Sequence, residues 1–372
     1  VVLKTHYKKP HVMGLFFDCF FVGKVMDHSQ SLDKKYFKGA VFDGVFVVGI
    51  AALAISVSLF ADSKPEYFGL ILTLNLWLLG YHHVIATYTR IAFDSESVRQ
   101  NKFLLFQLPL IVICLVVFIY QVFGKWGLAT IYLHWQWYHY TRQSEGVLKA
   151  LKGRLTYKGV SFPKFDRCCF YFIPLAFFLI MSSSIPGEFL YFPVRTLVLP
   201  EAIVDFLKIS SGCLCFVLLI HKACAVFKKQ LPILIFAYES SHYLIYYVAY
   251  VYVENINMGW LAINIWHNLQ YIMFVWVFNV NKHSRSLEAS QVKSFIWYIS
   301  QPHRALIYVL VCVLITIIIY YLFGHLVSLI TPIVGFQAGV VVYQAVNFHH
   351  YIVDSVIWKL RRPSVRSNLG IL

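Results

Sequence analysis

Apolar residues in this chain of 372 amino acids do not alternate with polar ones at a strand or surface-helix period; they run together. Ten such stretches cover 43–62, 66–89, 103–123, 126–141, 168–184, 201–221, 231–252, 259–281, 305–323 and 334–358. A helix needs about 17–25 apolar residues to cross a bilayer, and irregular backbone cannot satisfy its polar groups in lipid. Each stretch is therefore predicted to be a transmembrane helix. The fourth is short, and the ninth leads into a broken stretch through His325 and Pro332. The polar segment 141–167, with Gly146, Gly153, Gly159 and Pro163, reads as a cytosolic loop with room for a short surface helix and too small for a separate domain. The expected fold is an all-α polytopic bundle of about ten spans. Residues 1–42 form an N-terminal segment, 43–358 the helical domain and 359–372 a basic tail.

Charge placement orients this map. Of 32 Lys and Arg residues, 28 fall in segments 1–42, 90–102, 142–167, 222–230, 282–304 and 359–372. With ten spans these six segments share one side, which the positive-inside rule makes the cytosol, both termini included. The expected location is a bacterial inner membrane. A chain that is 59 % hydrophobic and 13 % charged, with mean hydropathy +0.66, cannot cover a soluble surface of this size. The net charge of +15 sits between apolar runs, so nucleic acid is not an expected partner. No phosphate-cradling glycine loop, nucleophile elbow or nucleic-acid module is present. The eight cysteines form no Cys-x-x-Cys pair and read as thiols.

The chemistry-bearing residues are histidines. Of fifteen, eight lie within proposed spans: His82, His83, His134, His139, His242, His267, His349 and His350. An ionisable group in hydrocarbon costs several kcal/mol unless partnered, so each is a functional candidate. At ~1.5 Å per residue, His82 and His83 lie about 10 Å inside the cytosolic face, His349 and His350 about 12–14 Å, and His267 about 20 Å. His134 and His139 fall in the same slab, as do Glu239 and His242. Glu239 and His242 also have the Glu-x-x-His spacing with which carboxylate di-iron bundles offer two ligands from one helix. Asp354, four residues after His350, can ligate or fix that ring's tautomer. The candidate metal ligands are these eight histidines with Glu239 and Asp354; no catalytic residue is assigned. His221, His283, His303 and His325 read as surface groups, as do His6, His11 and His28.

Imidazoles suit iron, zinc and copper, and added carboxylates favour iron. One or two non-haem irons are the expected cofactor, with zinc, copper or haem as alternatives. The paired histidines of Gly80-Tyr81-His82-His83 and Asn347-Phe348-His349-His350 resemble those of the histidine-rich integral membrane non-haem iron desaturases and hydroxylases. The likeness covers these short motifs only; no histidine stands three residues before either pair. It implies oxidation of a lipid or other hydrophobic substrate, with an electron-donor protein as a further partner. The competing expectations are a haem or copper redox protein, and a transporter coupled to protons or metal through Glu239 and the histidines.

Overall fold

A computed structural model describes residues 39–371 apart from 94, 156, 158–162, 185–186, 285–293 and 335–336; His6, His11 and His28 lie outside the described residues. Among these, seven helices are long and apolar enough to cross a membrane. They are α1 (Ala40–Ser63), α2 (Pro65–Ile91), α3 (Phe103–Arg154), α4 (Lys164–Ser182), α5 (Glu201–Phe227), α7 (Ile256–His283) and α8 (Pro302–Ile333). Two more polar helices complete the set, α6 (Ile233–Tyr247) and α9 (Ala338–Ile357). A two-stranded ladder pairs β1 (Glu188–Phe189) with β2 (Phe192–Pro193).

The 52 residues of α3 are two arms. Gly124 has φ 67° and ψ −161°, a conformation that only glycine adopts without strain. Contacts with α9 show the reversal. Leu104 is level with His349 and Tyr120 with Gln337, so the first arm runs antiparallel to α9. Tyr132 meets Tyr343, and His139 meets Tyr351 further on, so the second arm runs parallel to it. One hairpin thus embraces α9.

The layering is that of a protein in oil. In α7 the core window is 89 % buried, against 17 % for the far more apolar windows of α5 and α8. Lipid is as apolar as leucine, so interior helices carry the polar side chains and hydrogen bonds join them. Asn264 of α7 accepts from Asn75 of α2 at 2.8 Å and donates to the Tyr140 hydroxyl of α3 at 2.7 Å. Trp260 donates to Gln136 at 2.9 Å, and Ser58 of α1 to the Met258 carbonyl at 2.8 Å.

Two boundaries differ from the sequence reading. The loop expected over 141–167 is helical through Arg154, because Thr141 and Ser144 bond the buried Tyr246 and Tyr238 hydroxyls of α6, which holds one face inside the bundle. The break expected after residue 323 is likewise absent, and helix continues to Val334. Its side chains there are largely exposed, including Leu326, Leu329 and Ile333; interrupting it would leave peptide groups unpaired in lipid.

At Gly259 a Cβ would fall 2.3 Å from the Ala249 carbonyl oxygen, so α7 touches the π-helical segment Val248–Tyr252 backbone to backbone. Gly259→Val should cost about 1–3 kcal/mol, the usual penalty of overpacking. In detergent micelles it should melt below the wild type, whereas Gly212→Ala, where a Cβ meets nothing within 4 Å, should melt with it.

Candidate metal centre

Four helices each bring one histidine to a common point: His83 of α2, His139 of the second arm of α3, His267 of α7 and His350 of α9. All four are buried, and one nitrogen from each lies within 4.8 Å of the others. The rings close a cycle, with centroid separations of 5.3 Å for His83–His267, 5.0 Å for His267–His139, 5.2 Å for His139–His350 and 4.5 Å for His350–His83. A π-helical turn, Leu76–Gly80, directly precedes the histidine pair of α2 and sets its rotation about the helix. Such bulges recur at functional sites.

Hydrogen-bond direction decides what the nitrogens offer. His83 Nδ1 lies 2.6 Å from the Gly80 carbonyl, an acceptor only, so Nδ1 carries the proton and Nε2 a lone pair. On α9 the chain of bonds starts at Asp354. Tyr271 donates its single proton to Asp354 Oδ1 at 2.6 Å. Thr87, 2.8 Å from that phenol oxygen and 3.4 Å from the His83 carbonyl, then gives its one proton to the nearer acceptor. His350 Nδ1, 3.0 Å from Thr87 Oγ1, must in turn donate to threonine. His350 Nε2 is therefore also a lone pair, and it faces His83 Nε2 at 2.9 Å. Two lone pairs at that distance repel unless a positive charge, a metal ion or a proton shared by the two rings, lies between them.

The other two rings press the same requirement. His139 Nε2 and both nitrogens of His267 are buried without a hydrogen-bond partner, and an unsatisfied buried polar group costs about 1–3 kcal/mol. Imidazoles bind a metal at about 2.0–2.1 Å, which places tetrahedral neighbours about 3.3 Å apart. That edge lies between the 2.9 Å and 4.8 Å observed here. The residues fit one metal ion. Asp354 Oδ2, 3.5 Å from His350 Nε2 and also without a hydrogen bond, stands at the edge of the cluster.

The remaining candidates are engaged elsewhere. His242 is held between Ser144 Oγ and the Phe170 carbonyl, at 3.0 and 3.2 Å, and stacks on the Phe170 ring. His349 spans Tyr88 and the Leu104 carbonyl at 2.8 and 2.7 Å. His82 bonds the Leu78 carbonyl and His134 that of Thr130, neither reaching the cluster. Glu239, buried, pairs with Lys222 at 2.5 Å and Lys152 at 3.0 Å. Of the expected surface histidines, His221, His303 and His325 are exposed, but His283 is buried. Sequence reading did not find Trp358, which donates to Tyr271 at 3.1 Å, or the Gly80 carbonyl. Trp358 follows the end of α9 with no periodic signal, and a carbonyl leaves no mark in sequence.

A cavity of about 780 Å³ opens against His139, Tyr271 and Asp354, giving the centre an approach from outside. No family model, no curated protein and no solved structure matches this chain, so the site is read from its own geometry.

His83→Ala, His139→Ala, His267→Ala and His350→Ala should each reduce metal in the purified protein below a tenth of wild type, measured by elemental analysis. Thr87→Val should weaken metal affinity about 10–100-fold, as loss of an outer partner does. Glu239→Ala strands Lys222 and should destabilise by about 3–5 kcal/mol, yet the protein that remains folded should retain its metal. Metal loss in Glu239→Ala matching that of the four alanine variants would refute this ligand set.

Proposed function

We propose that this protein is a multi-pass membrane metalloenzyme, a mononuclear non-haem iron oxidoreductase acting on a lipid or other hydrophobic substrate. The facing lone pairs of His83 and His350 at 2.9 Å carry the reading, since a cation relieves them and two unpartnered rings stand beside them. Four nitrogens drawn within 4.8 Å enclose one ion more readily than two. Borderline imidazoles with a free carboxylate oxygen, that of Asp354, favour iron over copper(I). Ring contacts along every edge of the cycle argue against a porphyrin plane between them.

Bound iron would supply electron transfer and oxygen activation. The chain's own residues do the rest. Tyr271 and Thr87 hold His350 in one tautomer, and Asp354 presents an oxygen at the cavity wall where a proton can be taken or given. Aromatic residues lining the cavity, Trp135 and Phe274 among them, exclude water and accept a hydrocarbon chain. The electron donor is a separate protein.

Among the described residues the nine long helices, with α3 folded into two arms, make ten rods, a number compatible with ten crossings. With 28 of 32 basic residues in alternate connections and ends, this supports cytosolic termini and a centre in the cytosolic half of the bilayer. Residues 43–358 then act as one helical domain, with 359–372 its cytosolic tail.

Protein purified from iron-replete cells should contain about one iron per chain and show no Soret band. A stoichiometric zinc content with no iron, or a Soret band, would overturn the iron assignment.

A further inference from the structure

The cavity that reaches His139 has a second character at its outer end. Arg142, Lys149, Arg167, Lys359 and Arg361 line it, against Glu145 and Asp354, so five positive groups face two negative ones and leave a surplus of three. Glu145 is already bound by Lys149 at 2.6 Å and Arg167 at 2.7 Å. Asp354 belongs to the inner end, where Tyr271 holds it. Among the described residues no carboxylate pairs with Arg142, Lys359 or Arg361.

These three cations come from two directions. Arg142 lies one turn past His139 on α3, about 4.5 Å along the axis at 1.5 Å per residue. Lys359 and Arg361 follow the end of α9. Between them and the histidines the wall is aromatic, with Trp135, Tyr351, Phe274 and Trp358. Arg142 and Lys359 are half-buried and Arg361 is exposed, so like charges gather at the mouth of the cavity, and an anion with several oxygens offsets their repulsion. Arginine pairs with phosphate through two parallel bonds, and lysine binds it as a point charge.

Resting on the metal-enzyme reading, we propose that the substrate is an anionic amphiphile with a phosphate head. Arg142, Lys359 and Arg361 hold the head, and the chain lies along the aromatic wall toward His139. The volume, about 780 Å³, is within the range of small-molecule sites and suits a head with a single chain.

Gly146 supplies the test. It lines the cavity, and a Cβ added there meets nothing within 4 Å, so a large side chain can start into the space from a residue that is neither a histidine ligand nor one of the cations. Binding of radiolabelled hexadecyl phosphate to the full chain in neutral detergent micelles is measured beside hexadecanol, inorganic phosphate and metal content. The wild type should bind the alkyl phosphate at least tenfold more tightly than either of the others. Gly146→Trp should lower that affinity tenfold or more with metal unchanged; Ser355→Trp, which plugs the same cavity from α9, should do the same if the first variant folds poorly. Combined Arg142→Gln, Lys359→Gln and Arg361→Gln should erase the preference over hexadecanol. Unaltered binding in both plugged variants, or inorganic phosphate binding as tightly as the alkyl phosphate, would overturn the proposal. Wild-type protein that lacks metal but shows plug-sensitive binding would sink the metal reading alone. Normal metal content with no preference for the alkyl phosphate would sink this proposal alone.

Discussion

The organising constraint is the fixed direction of a few hydrogen bonds around the four histidines. A carboxylate can only accept, an indole N–H can only donate, and a phenol has one proton to give. From Asp354 and Trp358 these rules pass through Tyr271 and Thr87 to His350, and from the Gly80 carbonyl to His83. The outcome is a pair of opposed lone pairs among buried side chains. His83 meets a carbonyl with Nδ1 alone, and His139 and His267 leave buried nitrogens without a hydrogen bond, so the cluster is not satisfied by protein groups.

Everything around the centre maintains that arrangement. Helix α7 is nearly enclosed and carries amides that tie α2 and α3 to it. The outer helices α5 and α8, apolar and open to lipid, reach the interior at single polar groups, Lys222 and Tyr308. Ion pairs at Glu239 fasten α6 to α3 and α5, using a buried carboxylate as a cross-link between helices.

The helical architecture was legible because apolar runs of membrane length have few other uses. The hairpin of α3 was legible too, as two runs separated at Gly124. The extension of its second arm was not, because Gly146 and the charges of that segment look like a loop until Tyr238 and Tyr246 are placed against it. Within the site, pairing at 82–83 and 349–350 marked the right helices but could not say which ring of each pair turns inward. Adjacent residues point about 100° apart, and the neighbours that choose between them come from distant segments. His242 and Glu239 had a ligand-like spacing, yet Phe170, Ser144 and Lys222, remote in sequence, occupy them. A shared level along the helices was a necessary condition that eight histidines met; rotation about the helix axis chose four of them.

The embrace of α9 by the α3 hairpin has a consequence for biosynthesis. His349 docks on the Leu104 carbonyl of the first arm while His350 meets His139 of the second, so two successive residues clasp both arms at once. Chains are made from the N-terminus, and folding proceeds in that order. Three imidazoles are thus present in the membrane before the last one is translated. The nascent protein holds an open, three-sided cage that stays incomplete until α9 is inserted, so the four-histidine cluster closes only late in assembly.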